Sequence, residues 1–254
     1  MKRQLFMLAA IIISFAACKK DNTQKNEQSS DATNSVSAAR SSVTASDAAN
    51  PLNPYDSMGY WHNEIVAYIQ GCRPGIDSPD VITSTQCVLR FYREKKGEDI
   101  PASLFETVSQ TVDKSSNDME GLITSCPYEE PVKEALRTLM QMLKQLSDSD
   151  SDYATIKASI MAFEERIMQN SQIAEEGKAV ILRTTSVARY SVFYWINYNK
   201  PQQPQAGAAM KWKTFVKWLA AVTSDIGGAV VSGNVGYAAD CSSYAWDLIT
   251  YSMP

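Results

Sequence analysis

Histidine is almost missing from this 254-residue chain: His62 is the only one. A histidine-rich metal site and most acid–base dyads are thereby excluded by inventory. No GxSxG elbow, phosphate loop, dinucleotide fingerprint or HExxH pair occurs either, and neither a metal nor any other cofactor is implied. The longest uninterrupted apolar run falls well short of the roughly twenty residues that span a bilayer, which excludes a permanent transmembrane helix. Positive charge is in deficit. With 24 basic and 28 acidic residues the net charge is −4 and no basic stripe stands out, so nucleic acid is excluded as a partner. The carboxylate pairs Glu129–Glu130, Glu164–Glu165 and Glu175–Glu176 are adjacent in sequence, so they point different ways on a helix and read as solvated faces.

What the chain does carry begins at its first residues. Lys2 and Arg3 precede an apolar segment from Leu5 to Ile13, then Phe15-Ala16-Ala17-Cys18. This resembles the lipobox signal of bacterial lipoproteins. The resemblance implies cleavage before Cys18, acylation of its thiol, and stable anchoring by several acyl chains at about 0.8 kcal/mol per buried methylene. Lys19-Lys20-Asp21-Asn22 is similar to the charged export tag of some Gram-negative surface lipoproteins, so the expected location is the outer membrane, with surface display favoured over the periplasmic side. Losing Lys2 and Arg3 with the leader takes the mature charge to about −6. Asn22 to Asn50 holds no aromatic and almost no large aliphatic residue, and cannot bury enough surface to offset its ordering entropy. The expected organisation is a signal peptide at 1–17, a lipidated flexible tether at 18–53, and one helical domain at 54–254.

Within that domain apolar residues recur at three and four, which predicts an all-α bundle of about seven or eight helices. Asp56 or Ser57 opens the first, with a stripe of Met58, Trp61, Ile65, Tyr68 or Ile69, and Cys72. Ser78-Pro79 opens a second that runs to about Lys96 and stops at Gly97. Pro101 begins a third, divided near Ser115 to Asn117 and ended by Cys126-Pro127. Val132, Leu136, Leu139, Leu143 and Leu146, then Tyr153, Ile156, Ile160, Phe163 and Ile167, mark a helical hairpin. The longest helix runs from Ile173 to about Asn199, and shorter ones follow near 208–224 and 237–250.

Few segments offer chemistry. Asn53-Pro54-Tyr55-Asp56 with Gly59, His62 and Asn63 resembles the opening helix of a group of bacterial lipoproteins to which no activity is assigned. From the residues alone, Asp56 caps the helix, Gly59 permits close packing, and His62 pairs with Asp56 or Glu64 or bonds a neighbouring loop. Asp240-Cys241-Ser242 resembles the nucleophile segment of NlpC/P60 cell-wall peptidases. In that family a base histidine follows the cysteine; here none does, and Ser243 replaces the usual glycine. With Cys18 lipidated, Cys72, Cys87, Cys126 and Cys241 are left outside the reducing cytoplasm, enough for two disulfides in any of three connectivities. The alternating carboxylates of Asp148, Asp150 and Asp152 start like a calcium loop, but Tyr153 and Ser159 stand where glycine and glutamate are needed; a turn with an N-cap is expected.

The remaining candidates for contact with a partner are Trp61 and His62, and Trp212 and Trp218 on a lysine-interleaved aromatic stretch. The expected role is a lipid-anchored, non-enzymatic binding or assembly module that meets an unidentified protein or glycan. The alternative is a membrane-active, toxin-like protein that uses the Gly/Ala-rich segment after Lys211, although Asp225 argues against insertion. The third is a wall peptidase that uses Cys241.

Overall fold

The computed structural model describes residues 47–72, 80–149, 151–198 and 212–252, the side chains of 198 and 212–218 excepted. Cys18 and most of the tether lie outside the described residues. Among those described, nine α-helices and no strand are found: α1 Asp56–Cys72, α2 Val81–Phe91, α3 Val108–Asn117, α4 Met119–Ser125, α5 Glu130–Asp148, α6 Tyr153–Gln169, α7 Glu175–Tyr198, α8 Trp212–Ser232 and α9 Val235–Ser252. The all-α expectation holds, with more helices than the seven or eight anticipated.

Local chemistry sets most boundaries. Asp80 accepts the Ile82 and Thr83 amides to start α2, Asp118 accepts Gly121 to start α4, and Asp152 accepts Thr155 at 2.8 Å to start α6. The last of these is the N-cap expected in the acidic turn. Helix α2 runs on into a π-helical turn, Tyr92–Lys96, which Gly97 closes at φ 68°. Gly233, at φ 62°, turns the chain between α8 and α9, and Asn234 Oδ1 then receives the amides of Gly236 and Tyr237. The Gly/Ala-rich part of the segment after Lys211, from Leu219 to Ala239, is thus a packed helical hairpin. No described helix is long and apolar enough to cross a membrane.

Helix α9 sits at the centre. Every residue from Gly236 to Ser243 is buried, because α1, α2, α3 and α8 all pack on it. Helix α7 lies against α1, α8, α6 and α5. The α5 and α6 stripes are buried as read from the sequence, through Leu136, Leu139 and Leu143 and through Ile156, Ile160, Phe163 and Ile167. Helix α1 differs: its buried stripe is Gly59, His62, Ile65, Val66 and Ile69, so the helix is rotated from the Met58–Trp61 face that hydrophobicity alone selects. The packed chain also begins before Pro54, since Ala48, Asn50 and Asn53 are buried.

Cys72 and Cys87 form a disulfide that ties the end of α1 to α2. The second bridge is not formed. Cys126 is a buried free thiol that points back along α4 to the Leu122 carbonyl at 3.3 Å, and Cys241 is a buried free thiol packed at the α8–α9 crossing near Gly228.

Candidate functional site

The polar residues singled out at the start of α1 all face inward. Asn53, Asp56, Gly59, His62 and Asn63 meet α6, α7 and α8, and together they build two buried polar clusters.

The first centres on His62. Its Nε2 lies 2.6 Å from Asp225 Oδ1, with both side chains wholly buried. Its partner is therefore neither Asp56 nor Glu64 but a residue 163 positions away on α8. Ser191 Oγ donates to the other Asp225 oxygen. Ser242 bonds Asp225 as well, and its hydroxyl accepts from Trp195 Nε1 at 2.9 Å. On the far side of the ring, His62 Nδ1 faces Asn63 Oδ1 at 3.0 Å, while the Asn63 amide donates to the Tyr190 carbonyl at 2.8 Å. Since that amide oxygen can only accept, Nδ1 must carry a hydrogen. A single further proton is then shared between Nε2 and Oδ1.

The titration shifts agree with this. Burial pushes His62 down, but the Asp225 charge and the hydrogen bonds from Asp225 and Asn63 more than offset it, so His62 ends above its usual range. Burial raises Asp225 against the opposing pull of His62, Ser191 and Ser242. Both shifts describe a pair that holds its proton. Both ring nitrogens are occupied, and His62, Asp225, Ser191 and Ser242 are all buried.

The second cluster centres on Arg189 of α7, also wholly buried. Its Nη2 donates to Asp56 Oδ1 at 2.6 Å and to Glu164 Oε1 at 3.3 Å, and its Nη1 donates to the Ala48 carbonyl. Tyr190 OH donates to Asp56 Oδ2 at 3.0 Å. Glu164, read above as solvated with Glu165, is instead fully buried and accepts from Asn50 at 2.5 Å and Asn53 at 2.7 Å. Asp56 thus spends its carboxylate on Arg189, Tyr190 and the Asn50 amide. Between the two clusters Gly59 lets α1 touch α7: its amide donates to Ser186 Oγ at 3.0 Å, and the same hydroxyl donates to the Asp56 carbonyl at 2.9 Å. A methyl at this position would collide with the Tyr190 ring and the Ser186 backbone carbonyl. Gly59→Ala is expected to destabilise by about 1–3 kcal/mol, a fall in melting temperature of several degrees measurable by circular dichroism.

Cys241 does not fit the nucleophile role its neighbours suggest. It lies in the second turn of α9 rather than at the helix start, it is wholly buried, and burial together with Asp240 and Asp225 raises its thiol well above the usual range. Asp240 is occupied with Ser84 and with Thr85 at 2.6 Å, which joins α9 to α2. No group of three His, Cys, Asp or Glu side chains among the described residues is arranged to hold a metal. Trp61 is half-buried and carries the Lys96 amine 2.8 Å from its ring centroid. Trp212 and Trp218 lie in the opening turns of α8, and their side chains fall outside the described residues.

The strongest signal available in the sequence for these clusters is Asp225 within an otherwise apolar stretch of α8, since a carboxylate in such a setting needs a buried partner. Arg189, among Val, Ala and aromatic neighbours, carries the same message.

No family model, no curated protein and no solved structure matches this chain.

Proposed function

We propose that this chain is a lipid-anchored envelope protein, held at the outer membrane through Cys18, whose helical domain binds or assembles with a protein or glycan without transforming it. The observation that supports this reading is how its reactive groups are used. His62, Asp225, Arg189, Glu164 and Cys241 are wholly buried at helix junctions, and the four ionisable side chains other than the thiol are bonded to one another or to neighbouring turns. They join helices. The surface facing solvent includes two shallow clefts along the α5–α6 hairpin, which meet at Arg166.

Protease shaving of intact cells, with a periplasmic control protein and mass spectrometry for peptides from 54–254, tests the placement. Release from intact cells is the expected result. Protection until the outer membrane is opened would refute surface display and direct the partner search to the periplasm. Cys18→Ser is expected to move the domain out of the detergent-extracted membrane fraction or leave the leader uncleaved; normal processing and membrane retention would refute the anchor.

A further inference from the structure

The segment just before α1 is bound to the fold in an unusual way. Asn50 Oδ1 accepts the Leu52 amide at 3.2 Å and Asn53 Oδ1 accepts the Tyr55 amide at 2.8 Å, forming two asparagine turns in tandem. Each carboxamide spends its oxygen on its own backbone and turns its NH2 to the same carboxylate, that of Glu164. Arg189 takes the Ala48 carbonyl, Leu182 O takes a second bond from Asn53, and Lys157 holds the Asp47 carbonyl at 2.7 Å. Ala48 packs on Tyr190 and Phe193, with Tyr60 and Tyr153 beside them. The one large apolar side chain of the segment, Leu52, is 70 % exposed. Residues 47–53 are therefore held almost entirely by polar bonds to side chains, over a slot floored by a guanidinium and two carboxylates.

Such a slot differs from the aliphatic core in what it costs to open. When residues 47–53 leave, Arg189 keeps Glu164 and Asp56 and all three gain water, while the apolar surface uncovered is that of Ala48 and the ring faces of Tyr190 and Phe193 beneath it. The fit is also unsaturated, since Arg189 Nε is buried without a partner. We propose that residues 47–53 are a releasable strap, the chain's own ligand for an Arg189–Glu164–Asp56 slot that recognises paired carboxamides on a tight turn. Two NH2 donors set for the two Glu164 oxygens, and a carbonyl set for Arg189, define what the vacated slot accepts: an asparagine-bearing peptide turn of the strap's own kind.

Two measurements on the full chain test this. Under native conditions, amide hydrogen exchange of Asn50, Leu52 and Tyr55 is expected to run at least about a hundredfold faster than that of the α7 interior, and to stay independent of low denaturant. A single shared rate, falling with global stability, would overturn the proposal. In Ala48→Cys, thiol labelling reports strap release, and a synthetic peptide of residues 45–55 added in trans is expected to accelerate it severalfold. The same peptide with Asn50→Ala and Asn53→Ala is expected to have no effect. No acceleration by the native peptide, or equal acceleration by both, would refute the slot as a binding site.

Discussion

Asp225→Ala is expected to destabilise the domain by about 3–5 kcal/mol, a drop of roughly 6–20 °C in melting temperature, because it strands His62 in the core without its counter-charge. Differential scanning calorimetry of the wild type and variant measures this; a shift under two degrees would show that the pair holds nothing together. Asp225→Asn keeps the shape and removes the charge, so it adds a pH signature. In the wild type the folded pair retains a proton that the unfolded chain gives up near pH 6.5, the usual histidine value. The contribution of His62 is therefore complete below that pH and declines as pH rises through the elevated folded value. In Asp225→Asn the buried ring loses its partner and its proton affinity falls. The stability gap between the two proteins should be widest near pH 5 and narrow toward pH 8 and above. A gap that widens with pH would refute the shared-proton assignment.

Arg189→Met should be as damaging, about 3–5 kcal/mol, for a related reason: Asp56 and Glu164 would face one another across α1, α6 and α7 with no cation between them. The informative comparison is a double-mutant cycle. If Arg189 acts through Glu164, then Arg189→Met in a Glu164→Gln background should cost distinctly less than in the wild type, with a coupling of about 1–3 kcal/mol. Strict additivity in urea unfolding would mean that the two side chains are neighbours without being partners.

The helices were legible because their signals are local. Asp152 and Gly97 mark ends by rules that need only a few neighbouring residues, whereas Pro101 opens a 3-10 turn, Ala102–Phe105, and α3 itself begins at Val108; α5 and α6 bury leucines and isoleucines at the spacing that the sequence displays. The clusters were not legible because each member looks ordinary alone. Hydrophobicity selects Met58 and Trp61 for the stripe of α1, yet His62, a histidine with both nitrogens satisfied, packs more deeply than either. Thr184, Thr185, Ser186 and Ser191 give α7 a surface-like polarity, although all four are buried and Thr184 and Thr185 return their hydroxyls to their own helix backbone. Glu164 sits beside an exposed glutamate and only the fold separates them. The ion-pair partners lie 25 to 163 residues apart, a distance over which periodicity carries no information.

The Cys72–Cys87 bridge gives α1 a history as well as a place. Under the export route proposed above, the chain is synthesised where thiols stay reduced and meets an oxidant only after crossing a membrane. Closing a loop of 15 residues contributes about 3 kcal/mol, a large share of the 5–15 kcal/mol typical of a domain. Without the bridge the helix that carries His62, Asp56 and Gly59 is held by its packing and hydrogen bonds alone. On that proposed route, oxidation after export would make the bridge a late fastening that adds its share of stability only once the thiols have left the reducing compartment.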